Sequence, residues 1–278
     1  MSLGILTNVA ATYAQNNLNQ TQGSLQTVLR ELSSGSRINS GADDAAGLSV
    51  ADGLHANEAA LNQSAQNAQN GVGLLQTADG ALSQVTNLLD RATTLATEAA
   101  NGGLTGAQST AADTEFQSII TEIGNIGGKT NFNSTGVFSA VATNFVVTDG
   151  TIAGTTTVAA TTGALSATSI GGIVFAPATD KLTTAALATT TLTDVTNAIS
   201  GIAAQRGTIG AGINQLNAAA NVASSESVNL SSAESSIRST NYGQATSDLA
   251  KFQVLSQTGI SALAQANSVQ QEILKLLQ

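Results

Sequence analysis

The chain has no cysteine and no tryptophan, and only one proline (Pro177), one methionine (Met1) and one histidine (His55). Without cysteine there is no disulfide and no thiolate metal site. A single imidazole excludes an H-E-x-x-H pair and any ordinary His-based zinc site. A Ser–His–Asp triad would have to run through His55, and no nucleophile-elbow motif accompanies it. His55 therefore reads as a solvent-facing helical residue. No catalytic residue, metal ligand or cofactor site is expected.

Charge is also scarce, at 10% of residues, and aromatics make up 3%. The formal net charge is −9, and no Lys/Arg cluster offers a nucleic-acid groove. No run of about 20 apolar residues spans a membrane. Met1-Ser2-Leu3-Gly4 is followed by neither a basic region nor an unbroken apolar one, so no cleavable signal peptide is visible. Taken alone, these features read as cytoplasmic.

What fills the chain is Ala, Ser, Thr, Asn, Gln and Gly. Small side chains let helices approach closely but bury little area each, and stabilisation scales with the apolar area removed from water. Such a chain needs extensive packing partners. An assembled polymer supplies them.

Residues 3–33 carry Leu3, Ile5, Leu6, Val9, Tyr13, Leu18, Leu25, Val28, Leu29 and Leu32. The later members recur at threes and fours, which predicts an amphipathic helix. Its apolar area is too small to offset the entropy of ordering so many residues, so it should order only against other helices. Ser33 to Gly41 is a run of small and turn-forming residues that breaks one helix and starts another. Ser40 with Asp43 fits a capping box, and Asp44 adds favourable charge at a helix N-terminus. Asp43-Asp44 can also be read as paired carboxylates for acid/base work, but capping is the better account.

Residues 43–100 form the longest periodic region, from Leu61 through Leu75, Leu82 and Leu89 to Ala99. It has one phase slip at Leu75–Ala78–Leu82. Asp79-Gly80 lacks alternating flanks and stays inside the helix. Gly71 and Gly73 follow no strand, so they mark close packing rather than a nucleotide loop. Asn101-Gly102-Gly103 ends the helix. A further helix is predicted over 110–130, stopped by Gly127-Gly128.

From about 137 to 191 charges almost vanish. Phe145 to Thr148, the Asp149-Gly150 turn, and Thr151 to Val158 predict a β-hairpin. A short strand is expected at Gly172–Phe175, ended by Pro177. The alternative is a Thr-rich linker without fixed structure. Helical period returns at Leu192 and runs to Ile237, and the Ser-rich stretch 224–240 is expected to mark a mirror-image switch point opposite residues 33–41. The last segment, Asn241 to Gln278, carries Leu249, Phe252, Leu255, Ile260, Leu263, Val269, Ile273 and Leu274.

Leu32 to Leu54, read as LSSGSRINSGADDAAGLSVADGL, resembles the N-terminal signature of bacterial flagellin, LSSG-x-RINSAADDAAGLAI. Ser36 stands where a larger residue is common, and Gly41 replaces the usual Ala. Thr130-Asn131-Phe132-Asn133 is similar to the family's T-x-FNG, with Ser134 in place of Gly. Ser200 to Leu216 resembles VSxxRAxLGAxQNRL, matching at Arg206, Gly210 and Ala211, with Gln215 where a second Arg is usual. Ile260 to Asn267 looks like the C-terminal AxxALAQAN, and Gln270 stands where a Pro usually follows. The resemblance covers residues 1–133 and 192–278.

The resemblance implies a mainly α fold, a long antiparallel helical bundle or coiled coil with paired N- and C-terminal helices and a small β-hairpin region mid-chain. Residues 1–42 and 236–278 would form a terminal inner-tube domain. Residues 43–235 would form a helical outer domain, with 137–191 as a short insert. The subunit interface would use Leu25, Leu29, Leu32, Leu249, Phe252, Ile260, Leu263 and Ile273. The switch between domains would use Gly35, Arg37, Asn39, Ser40, Asp43 and Asp44. Leu89, Arg91, Leu95 and Glu115 match the family's L-x-R-x-x-x-L patch and the Glu on the next helix. There they imply packing between subunits or a surface seen by an innate immune receptor. Asp90 and Thr94 depart from the family's QRxRELAVQ.

The implied function is that of a homopolymeric filament subunit of the bacterial flagellum, exported through the flagellar channel to the cell exterior. Its implied partners are an export chaperone, a filament cap protein and hook-associated proteins. Alternatives are a hook–filament junction protein and a coiled-coil adhesin or receptor-binding module.

Overall fold

The structure, a computed structural model, describes residues 8–148 and 157–276. Five helices carry most of it: α1 (Val9–Ser34), α2 (Ala45–Ala100), α3 (Gly106–Lys129), α4 (Ala185–Arg238) and α5 (Tyr242–Leu276). Between α3 and α4, among the described residues, lie six short strands, β1 (Asn131–Phe132), β2 (Thr135–Gly136), β3 (Thr143–Val146), β4 (Thr157–Ala160), β5 (Ser169–Ile170) and β6 (Ile173–Val174). They pair antiparallel as β1–β2, β3–β4 and β5–β6. Among the described residues no helix is long and apolar enough to cross a membrane. The fold is mainly α with small β-hairpins in the middle of the chain.

The chain divides into two compact units. The first comprises residues 1–56 and 230–278, the second residues 57–229.

The second unit holds the hydrophobic core. Along α2, Leu75, Ala78, Leu82, Val85, Leu89, Ala92, Ala96 and Ala99 are all buried. Their spacing of threes and fours presents one face of the helix. Phe116, Ile119, Ile120 and Ile123 of α3 join them, with Val195, Ala198, Ile202, Ile209 and Leu216 of α4. Many core residues are alanine, and glycine notches on α3 and α4 admit the segment 165–171. A Cβ on Gly124 would meet Ala167, one on Gly127 would overlap the Leu165 carbonyl, and one on Gly201 would overlap the Gly171 carbonyl. Arg206 on α4 reaches Asp79 on α2 in a two-pronged ion pair, Nε to Oδ1 at 2.8 Å and a terminal nitrogen to Oδ2 at 3.3 Å.

Several sequence expectations need correction in detail. Ser40 and Asp43 do not cap α2. The Asp43 carboxylate accepts the Ser40 N–H at 2.9 Å, the Asn39 N–H at 3.1 Å and the Ser40 hydroxyl at 3.0 Å, closing a turn before the helix. Those bonds, with Ser40's hydroxyl foremost, hold the Asp43 carboxyl below its ordinary range. Asp44 is the cap, accepting the Gly47 N–H at 2.8 Å. Gly127 and Gly128 do not stop α3, which runs on to Lys129. At Gly127 the missing side chain seats a neighbouring loop.

The Ser-rich stretch 224–238 is helical rather than a break. Two of its hydroxyls fold back on the helix's own carbonyls, Ser225 on Asn221 at 2.9 Å and Ser236 on Ala233 at 2.8 Å, and Ser227 donates to the Asn62 side chain of α2 at 3.0 Å. α4 also begins at Ala185, inside the stretch assigned to the insert.

The hairpin strands are β3 and β4, with Thr143 opposite Ala160 and Val146 opposite Thr157. The expected Asp149-Gly150 turn and the strand portion 151–156 lie outside the described residues. The strand expected at Gly172–Phe175 is β6, folded back on β5. Val158, Ala160, Thr162, Leu165, Ile170 and Phe175 are buried, so the described part of the Thr-rich centre is packed rather than a loose linker.

Candidate functional site

The first unit is built around α1 and α5, which pack on one another. Positions withdrawn from solvent along α1 include Ala11, Ala14, Leu18, Thr21, Leu25, Val28 and Leu32. Along α5 they include Ala245, Leu249, Phe252, Ser256, Gly259, Leu263, Ala266 and Gln270. Both sets step by threes and fours, which is the seam of an antiparallel coiled coil. A Cβ on Gly259 would lie 3.3 Å from Leu18, so α5 approaches α1 closely there. The Asn8 side-chain amide donates to the Ala266 carbonyl at 2.9 Å, and the Asn8 side-chain oxygen Oδ1 accepts the Ala11 N–H at 3.0 Å, capping α1.

This seam is thin. Among the described residues, only Val28, Ile38, Ala51 and Ala245 of this unit are buried apolar side chains. Large apolar groups stay in water instead: Val9, Tyr13 and Leu29 on α1, and Val254, Leu255, Ile260 and Val269 on α5. Leu255 is 44% exposed and Val269 41%, and they stand two heptads apart with exposed Ala262 midway. They form a second apolar stripe on α5, separate from the one facing α1. A coiled-coil helix with two such stripes has room for a second partner.

The expected interface residues thus divide. Leu25, Leu32, Leu249, Phe252 and Leu263 line the seam within the chain. Leu29 and Ile260 face outward. Ile273 lies outside the described side chains.

Where α1 gives way to α2, the chain meets the end of α4. Gly35 ends α1 in the left-handed region at φ 72° and donates its N–H to the Glu31 carbonyl at 2.9 Å. The Arg37 N–H then donates to the Arg238 carbonyl at 2.7 Å, and the Thr240 N–H to the Gly35 carbonyl at 3.0 Å. Ser36 and Ser239 form the bridge between these two segments. The Arg37 guanidinium donates to the Ile237 carbonyl at 3.0 Å, and the Asn39 amide to the Ser36 carbonyl at 2.7 Å. This clasp gathers Gly35, Arg37 and Asn39 with Arg238 to Thr240, the end of the Ser-rich stretch expected opposite residues 33–41. Backbone groups make most of it, so residue types signalled the place but not the bonds. Asn241 caps α5 by accepting the Gln244 N–H at 3.2 Å.

The second unit carries the remaining candidates. Leu89 and Leu95 are 0% and 4% exposed, so their part is packing inside the unit rather than a contact surface. Arg91 and Glu115 face solvent as a two-pronged ion pair, with nitrogen–oxygen distances of 2.7 and 3.0 Å. The hydrogen bond from Arg91 holds the Glu115 carboxyl below its ordinary range.

The model of the bacterial flagellin N-terminal helical region matches residues 5–143, and that of the C-terminal helical region matches residues 192–277. The chain belongs to the bacterial flagellin family. It is 32% identical over 283 residues to the flagellar filament 30.7 kDa core protein of Treponema maltophilum, covering 97% of this chain and 98% of that one. It is 28% identical over 293 residues to the flagellin of Listeria innocua, covering 98% of each. With Proteus mirabilis flagellin 1 the match is 38% over 151 residues, 54% of this chain and 41% of that protein. The crystal structure of Bacillus cereus flagellin is similar at 30% identity and a TM-score of 0.47, over 56% of this chain and 88% of that one.

Proposed function

We propose that this flagellin is a structural subunit that polymerises through its terminal helices into the extracellular filament of a bacterial flagellum. The observation that carries the reading is the imbalance of the first unit: almost no buried apolar core, and a second apolar stripe left open on α5. Apolar surface of this kind is stabilised by burial against another chain. The same face meeting a different face of the next copy gives an open helical polymer rather than a closed ring.

In this reading residues 1–42 and 236–278 form the inner tube, and 43–235 the outer wall. Leu29, Ile260 and Ile273 join the contacts between copies. The clasp around Gly35, Arg37, Asn39, Ser40, Asp43 and Asp44 links inner and outer parts. Arg91 and Glu115 are free to serve in outer packing or in recognition by a receptor. Export follows the flagellar channel. A chaperone holds the C-terminal helix before secretion, a cap protein folds subunits at the tip, and hook-associated proteins receive the first copies.

The test is seeded elongation followed by sedimentation. Leu255→Asp with Val269→Asp leaves the melting of the second unit unchanged and abolishes growth from seeds. Growth of the double variant at the wild-type rate would overturn the reading.

A further inference from the structure

Beyond Ala100, the last residue of α2, the chain passes through Asn101, Gly102 and Gly103, all exposed, on its way to α3. Gly102 turns in the left-handed region at φ 65°. Its N–H reaches the Ala99 carbonyl at 3.4 Å, longer than an ordinary backbone hydrogen bond. A Cβ on Gly103 would meet nothing within 4 Å, and one on Gly102 would meet Ala185 alone, at 4.0 Å. Among the described residues none is hydrogen-bonded to the Asn101 side-chain amide.

The sequence has one other Asn-Gly step, Asn70-Gly71. Asn70 is exposed too, but Gly71 is buried inside α2. Its N–H belongs to the helix ladder. Leu216 and Phe145 crowd the space a side chain would take, at 2.8 and 2.9 Å from an added Cβ. The same two letters thus stand in opposite settings.

Asparagine is chemically labile, and most so when the next backbone nitrogen can reach its side-chain carbonyl carbon. A following glycine helps twice, because no Cβ shields the nitrogen and the backbone turns freely. Closing the ring swings the Asn–Gly peptide away from helical angles. At Asn101 only the long Gly102 bond resists that swing. At Asn70 the helix must open first.

We propose that Asn101 is a site of spontaneous conversion to aspartate and isoaspartate, selected by the fold, so that the chain carries a mark of its age while Asn70 is spared. The Gly102 nitrogen bonds to Asn101 Cγ as the bond from Cγ to the amide nitrogen breaks. The Gly102 proton leaves with that amide as ammonia, and a cyclic imide remains. Water then opens the ring. Attack at Cγ breaks the new bond and leaves an aspartate side chain. Attack at the main-chain carbonyl breaks the original peptide bond instead, so the chain runs on through Cβ and a free carboxylate is left behind. Nothing is oxidised or reduced, and water is the one co-reactant. Either product places a negative charge beside the last carbonyls of α2, which already carry partial negative charge.

The experiment keeps the full-length, unpolymerised chain in mildly alkaline buffer, either folded or in urea, and digests samples with trypsin over time. Cleavage at Arg91 places the two Asn-Gly steps on different peptides. In the folded chain, fragment-ion mass spectrometry should find the amide-to-acid mass gain at Asn101 running several-fold ahead of Asn70. In urea the two should convert at similar rates. Native isoelectric focusing should show the folded chain acquiring a more acidic form with time. Asn101→Gln should suppress most of that form, since glutamine must close a larger ring. Asn101 staying intact in the folded chain, Asn70 keeping pace with it there, or an acidic form undiminished in Asn101→Gln would each overturn the proposal.

Discussion

At the scale of single residues, glycine does two different jobs here. Gly201 on α4 faces the Gly171 carbonyl so closely that a Cβ would overlap it, whereas Gly80 on α2 has nothing within 4 Å. Helix propensity favours alanine at either position by about 1 kcal/mol. Overpacking against a backbone atom costs about 1–3 kcal/mol, so it wins at Gly201. Gly201→Ala should therefore lower the urea midpoint of unfolding, and Gly80→Ala should raise it. Ser134 offers a third case. Asn133 and Ser134 turn the β1–β2 hairpin at φ 49° and 64°, the left-handed region. That conformation costs an ordinary side chain about 1–2 kcal/mol, against about 0.5–1 kcal/mol for the extra freedom glycine loses on folding. Ser134→Gly should stabilise the chain slightly, readable as a rise in melting temperature with unchanged circular dichroism.

At the scale of elements, α2 depends on one side chain for its start. Asp44→Ala should cost about 1 kcal/mol in the denaturant midpoint, and Asp44→Asn should retain most of it. The sequence showed the long helices well, because rows such as Leu82–Val85–Leu89–Ala92–Ala96 repeat at a period only a helix satisfies. It showed their ends less well. The Ser-rich stretch 224–240 looks like a break in the helix, yet Ser225 and Ser236 turn their hydroxyls onto helix carbonyls, a choice that composition leaves open. Gly127-Gly128 looks like a stop, but a loop elsewhere in the chain needs the space. The β1–β2 turn was invisible because it bends at Asn133-Ser134 rather than at glycine. At the candidate site, Leu25, Leu249, Phe252 and Leu263 were legible from their spacing. For the clasp, the Ser-rich stretches at 33–41 and 224–240 marked the place, but not the bonds, since a carbonyl accepting an N–H leaves no mark in the letters.

At the scale of the whole molecule, the two units differ in what holds each together. The second has a continuous core from Ala68 to Leu216. The first has one seam of half-buried residues and leaves large apolar groups in water. Local stability follows buried apolar area, so exchange should differ accordingly. In the unpolymerised chain, amides at Leu25 and Leu263 should exchange within seconds to minutes, and those at Leu82 and Phe116 should persist. Assembly should then slow the first pair. Equal protection in the free chain would contradict this account.

The clasp joining Gly35–Arg37 to Arg238–Thr240 is drawn mainly from peptide groups, which are the same in every amino acid. Such a stitch places little demand on spelling. Related chains can drift through these positions, provided the left-handed bend at Gly35 survives, and still fasten one end of the polypeptide to the other. Anyone grafting foreign segments into this scaffold could rewrite much around the stitch, but should not lengthen or shorten the few residues that form it.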